Sequence, residues 1–104
     1  MVAPEDDAPC VVLCNAPPDQ AGPIARALVE RRVAACVNVI PTVTSHYRWE
    51  GTLHEDTEST LVIKTVTLRV PDVTAAIREL HPYTVPEIIA LPVLDAGSRD
   101  YLAW

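Results

Sequence analysis

Residues 36–51, CVNVIPTVTSHYRWEG, follow a period of two, the spacing of a β-strand whose successive side chains point to opposite faces. Val37, Val39, Pro41, Val43, Ser45, Tyr47 and Trp49 fall on one face, and Asn38, Thr42, Thr44, His46 and Arg48 on the other. Glu50-Gly51 supplies a turn, and residues 59–67, with Leu61, Val62, Ile63 and Lys64, return as the antiparallel partner. An unbent strand over residues 35–49 would run about 50 Å, against about 33 Å for the diameter of a sphere with the radius of gyration of such a domain. Part of this hairpin is therefore expected to project.

Upstream, PDQAGPIARALVE carries Ala21, Ile24, Ala25 and Leu28 on one stripe, which predicts a helix opening between an Asp19 N-cap and Pro23. Before it, CVVLC at 10–14 is apolar on both faces and β-branched at its centre, as a covered central strand requires. Residues 1–9 are expected to form a loose, flexible tail and residues 10–104 one domain. Downstream, Pro71 opens a second helix with Val73, Ala76, Ile77 and Leu80 on one side, and Pro82 closes it. EIIALPV at 87–93 reads as a last strand, at an edge or ending at Pro92, and residues 98–104 as a short C-terminal helix. The order β-α-β-β-α-β predicts a ferredoxin-like α+β sandwich with both helices on one face of the sheet. Its other face is left bare, so neighbouring subunits are expected to cover it.

Composition narrows the function. The net charge is −6 and Lys64 is the single lysine, which opposes binding to a phosphate backbone. The absence of phenylalanine removes the stacking residues of an RNA-recognition module with the same strand order. No apolar run reaches the roughly 18–20 residues of a membrane span. MVAPEDDAPC at 1–10 carries three acids and two prolines where a secretory signal needs a basic start and an apolar run, and a cytoplasmic protein is expected. Cys10 and Cys14, four residues apart on one strand and so about 13 Å apart, cannot bridge. With Cys36 the number is odd, and three reduced thiols are expected.

The segments LVERRVAACVNVIPTVTSHYRWEG, ESTLVIKT, HPYTVPEIIALPV and YLAW, in this order over residues 10–104, resemble the CutA divalent-ion tolerance proteins. The resemblance implies a ferredoxin-like homotrimer, similar to PII signalling proteins. It also implies a link with tolerance of copper and other divalent metals and the binding of copper, which is expected here to be weak and reversible. No reaction comes with the family. Its copper-ligand pattern falls on Cys14 and on two adjacent histidines before Pro-Tyr, of which His81 is the second while Leu80 stands in place of the first. Glu87, close by in sequence, is the substitute third ligand. A thiolate and an imidazole suit Cu(I) or Zn(II), and a carboxylate adds an oxygen for Cu(II).

The remaining residues read more plainly. Tyr47, Trp49, Tyr83, Tyr101 and Trp104 are expected to anchor interfaces, and His46 and His54 to be solvated. Lys64 is expected to pair with an acid or reach the sheet edge. Cys14 with His81 could form a minimal nucleophile pair, but no orienting third group stands at recognisable spacing, and no enzyme activity is expected. The alternative to a metal-binding protein is a PII-like sensor of an unknown small-molecule effector, or a protein-interaction scaffold without a specific metal site.

Overall fold

The computed structural model describes residues 8–103. Trp104 and residues 1–7 of the expected tail lie outside the described residues. Four strands, β1 (Pro9–Ala16), β2 (Cys36–Trp49), β3 (Thr52–Val66) and β4 (Ile89–Pro92), form one sheet in the order β2-β3-β1-β4, with each neighbouring pair antiparallel. Helices α1 (Pro18–Glu30) and α2 (Val70–Leu80) follow β1 and β3, and a four-residue α3 (Arg99–Leu102) follows β4.

Strict alternation along β1 sends Cys10, Val12, Cys14 and Ala16 inward. Leu61 and Ile63 of β3 share that face. Against them pack Ala21, Ile24, Ala25 and Leu28 of α1 with Val73, Ala76 and Ile77 of α2, as one core. Both helices thus lie on one face, each with its single apolar stripe packed on the inward side chains of β1 and β3. Leu80 completes the α2 stripe as a half-buried side chain.

Helix α1 starts earlier than the sequence suggested. Pro17 and Pro18 preset the backbone, so the helix opens at Pro18, no side chain caps it, and Asp19 sits in the first turn instead. Asp19 there favours the positive end of the helix dipole. Pro23 falls one turn inside, on the exposed side. The helix ends in a Schellman arrangement: the Arg32 and Val33 amides donate to the Val29 and Leu28 carbonyls at 3.0 and 3.2 Å. The left-handed position that glycine usually fills is held by Arg32, with φ 61°.

The hairpin departs from the sequence reading in two ways. First, β3 begins at Thr52, seven residues before the expected start, because Glu50 and Gly51 (φ 50° and 79°) close a two-residue turn that lets pairing begin at Trp49 opposite Thr52. Second, β2 does not keep one face. A bulge lies between Ile40 and Val43, where Pro41 has no N–H to give the ladder. Before it Val37 and Val39 lie opposite the core residues Ile63 and Leu61. After it Val43, Ser45, Tyr47 and Trp49 lie on the opposite face, with Glu58 and Asp56. The buried Ser59 hydroxyl donates to the Pro41 carbonyl at 2.6 Å and pins the bulge.

Strand β4 is shorter than the expected 87–93, running only from Ile89 opposite Leu13 to Pro92 opposite Cys10, at the sheet edge. The molecule measures 45 × 26 × 26 Å, so the hairpin does project. Ser59→Ala should cost about 1–3 kcal/mol, since the Pro41 carbonyl loses its partner. Urea denaturation at fixed protein concentration measures it, and an unchanged midpoint would mean that the hydroxyl does not hold the bulge.

Candidate functional site

The chemistry-bearing residues gather where β1 ends, beside the α2–β4 loop. Pro82 stops α2, leaving His81 as an extended C-cap whose amide donates to the Ile77 carbonyl at 2.7 Å. The chain direction this sets buries the imidazole to 6% exposure. The Tyr83 amide donates to Nδ1 at 3.1 Å. Nε2 lies 2.6 Å from the Asn15 carbonyl oxygen. With Nδ1 accepting, Nε2 must carry the proton and donate, so the network assigns a neutral ring with both nitrogens engaged.

The Cys14 thiol is wholly buried on the helix side of β1, and its Sγ also points at the Asn15 carbonyl, 3.7 Å away. Cys14 and His81 therefore converge on one acceptor oxygen, each as a donor. Burial, followed by the carboxylates of Glu87 and Glu58, pushes the Cys14 thiol up to about 12. It stays protonated at neutral pH.

Around this point lies a network of phenols and carboxylates. Tyr83 donates to the buried Glu58 carboxylate at 2.9 Å, and its ring tilts against His81 with centroids 4.6 Å apart. Burial and then this bond raise the Tyr83 phenol to about 12. Glu87 is raised by burial first and by Glu58 second. Tyr47 donates to Asp56 and stacks on His54, the centroids 5.2 Å apart, and the bond to Asp56 is the main cause of its raised pKa. Thr60 donates to the Asn15 side-chain oxygen at 2.7 Å. A cleft of about 750 Å³ opens between the hairpin, with Tyr47 and Trp49, and the loop, with Tyr83 and Glu87.

Cys14, His81 and Glu87 are thus brought into one neighbourhood, but they do not form a metal centre. Among the described residues no three His, Cys, Asp or Glu side chains are grouped to hold an ion. The physical reason is that both imidazole nitrogens are bonded to backbone groups, and the buried thiol holds the proton it must lose to bind as a thiolate. A resident copper ion does not fit these residues as they stand.

Of the expected interface aromatics, Tyr47, Trp49, Tyr83 and Tyr101 each keep 41% or more of their surface exposed. Lys64 is paired with no acid among the described residues: its ammonium sits 3.4 Å from the Tyr101 hydroxyl and 5.5 Å from the ring centroid. His46 is exposed beside Glu55 at 3.7 Å. The sequence reading missed Glu58 and Asn15. Glu58 lies in the polar run TLHEDTE, and only its register opposite Val43 after the bulge could have placed it at the cleft.

The family model of the CutA1 divalent ion tolerance protein matches residues 10–104. The divalent-cation tolerance protein CutA of Thermus thermophilus is 52% identical over 95 residues, covering 90% of this chain and 91% of that one. The human protein CutA is 53% identical over 81 residues, or 78% of this chain; the chain spans about half the length of this protein and of its mouse and Xenopus relatives. Among solved structures, the Thermus thermophilus protein superposes with a TM-score of 0.88 at 50% identity, covering 92% of this chain and 93% of that one. The protein described as PII-like CutA from Nostoc, in apo form, gives 0.86 at 38% identity, covering 90% of each chain. Agreement of sequence over residues 10–104 and of fold over nine-tenths of the chain, on the βαββαβ frame built above, places this chain in the CutA1 divalent ion tolerance protein family.

Proposed function

We propose that the protein is a non-enzymatic, homotrimeric ion-tolerance protein of the cytoplasm with a ferredoxin-like subunit. The observation that carries the reading is the bare sheet face. Val11, Leu13 and Val62 are half-buried in the single chain, while Ile40, Ile89 and Leu91 keep 44, 47 and 43% of their surface exposed, and all lie opposite the helices. An apolar sheet face of this kind is usually covered by a partner. The 45 Å length fits a hairpin that reaches onto neighbours. The strand order supports the ferredoxin-like frame, and the resemblance supports three copies.

The link with divalent ions, copper among them, runs through loose and exchangeable contacts rather than through a resident centre at Cys14, His81 and Glu87. A buried thiol at about 12 also makes a poor nucleophile, which supports the absence of cysteine catalysis. The three free cysteines suit a reducing compartment. One observation favours the second reading, a PII-like effector sensor. The 750 Å³ cleft at the hairpin base has the size of a small-molecule site.

Light scattering at micromolar concentration should give three times the chain mass, and Trp49→Ala should weaken assembly by about 2 kcal/mol. A monomer would remove the reading. Copper calorimetry on wild type, Cys14→Ser and Glu87→Gln should give affinities equal within about twofold, because neither residue is a prepared ligand; a tenfold loss in either, on the order of 1.4 kcal/mol, would restore the three-residue site. At pH 8 a thiol reagent should label half-buried Cys36 first and Cys14 only on unfolding. Rapid labelling of Cys14 would reopen the enzyme reading.

A further inference from the structure

Asp56, Glu58, Val62 and Lys64 fall on one face of β3, since side chains two residues apart along a strand point the same way. It is the face turned from the helices, where Lys64 lies opposite Val11. The acids and the lysine stand far apart on it. Lys64 follows Glu58 by six residues and Asp56 by eight, roughly 20 and 26 Å along the strand. No ion pair joins them within the subunit.

The acidic end lacks a cation of its own. Asp56, Glu58 and Glu87 line the cleft at the hairpin base, and no lysine or arginine lines it with them. Among the described residues none of the three carboxylates makes an ion pair, and residues 1–7 and 104 carry no basic side chain. The phenols of Tyr47 and Tyr83 donate to Asp56 and Glu58 but bring no charge. Glu58 is already only 6% exposed, and burial followed by Glu58 holds Glu87 above the ordinary carboxylate range. At the other end Lys64 is half-buried between Val62 and Val66, with its ammonium against the Tyr101 hydroxyl at 3.4 Å.

Subunits that close over this face take both ends out of water, and a desolvated charge without a counter-charge is strongly destabilising. In a cyclic trimer each interface joins two different patches, one from each copy. An acidic patch and a basic one on the same face can therefore neutralise each other between copies. The hairpin carries the acids to the contact, because Tyr47 and Trp49 share their side of it with Asp56 and Glu58. Whatever surface seats those rings also meets the carboxylates.

On the trimeric reading, we propose that the cleft at the hairpin base is half of a site that a second copy completes, with the partner subunit's Lys64 entering between Asp56 and Glu58 of the hairpin and Glu87 of the loop. An ammonium is a point charge with three donors, suited to several carboxylates at once. Its methylene stem lies against the Tyr47 and Trp49 rings. The valines beside it cover the rest of the aromatic surface. Such a pair fixes which surfaces meet and in what register.

The test uses the full chain and exploits Lys64 being the single lysine. Light scattering on wild type comes first, since a monomer would remove the assembly reading itself. On the trimer, a water-soluble carbodiimide joins an amine to a carboxylate in contact with it, the carboxylate oxygen leaving in the urea. Chains linked in twos and threes should appear, and peptide mass spectrometry should place the bond between Lys64 and Asp56, Glu58 or Glu87. Lys64→Glu should raise the concentration at which the trimer half dissociates by about tenfold or more. Asp56→Lys added to the same chain should recover most of that loss, which also shows that the altered chain folds. Glu55→Lys, on the opposite side of the hairpin, should not recover it. A trimer whose Lys64 links only to Glu5, Asp6 or Asp7, one that assembles equally well as Lys64→Glu, or equal rescue by Glu55→Lys would each overturn the proposal while leaving the trimer in place.

Discussion

Pro41 withholds one N–H from the β2–β3 ladder, and much of the molecule's surface chemistry follows from that omission. A strand of fourteen residues with unbroken alternation would keep its apolar side on the helices throughout. The bulge turns the sequence over instead. Val37 packs against the core and Val39 keeps to the same face, while Tyr47 and Trp49 pass to the face that carries Glu58 and Asp56. The cleft at the hairpin base exists because these aromatics meet the α2–β4 loop there. Ser59 fixes the exchange from the neighbouring strand by taking up the Pro41 carbonyl. The defect thus becomes a set register, as bulges commonly do beside functional surfaces.

The two ends of the sheet carry opposite electrostatics. At the hairpin base three carboxylates, Asp56, Glu58 and Glu87, line one cleft, and burial with mutual repulsion raises Glu87. Phenols donate to two of them, Tyr83 to Glu58 and Tyr47 to Asp56. At the far end a second cleft is lined by Arg32, Lys64 and Arg69, with no Asp or Glu among its described lining residues.

The fold was legible wherever apolar residues recur at a fixed period. The stripes of α1 and α2, the inward side of β1 and the projection of the hairpin all rest on such periods, and the core contains the residues they name. What escaped has physical reasons. TLHEDTE has no apolar alternation because both its faces are largely exposed, so nothing in it announces a strand. A bulge conserves every residue type and changes only which way each points. The Asp19 cap failed because Pro17 and Pro18 had already set the backbone. At the site, residue types were legible and their availability was not: Cys14 and His81 do meet, but at the Asn15 carbonyl.

That carbonyl explains why the copper pattern implied by the resemblance does not carry over as a ready site. The β1–β4 ladder runs only as far as Leu13 opposite Ile89, and just beyond it the Asn15 oxygen lies at His81 Nε2. His81 is therefore a latch between the central strand and the loop after α2. Its other nitrogen takes the Tyr83 amide, so freeing either nitrogen for a metal would orphan a backbone group at a cost of about 1–3 kcal/mol. Leu80 acts in the same direction, since a polar ring in its place would leave the apolar stripe of α2. With the first histidine replaced by packing and the second engaged by backbone, this segment of the chain supplies rigidity at the position where the family pattern has ligands.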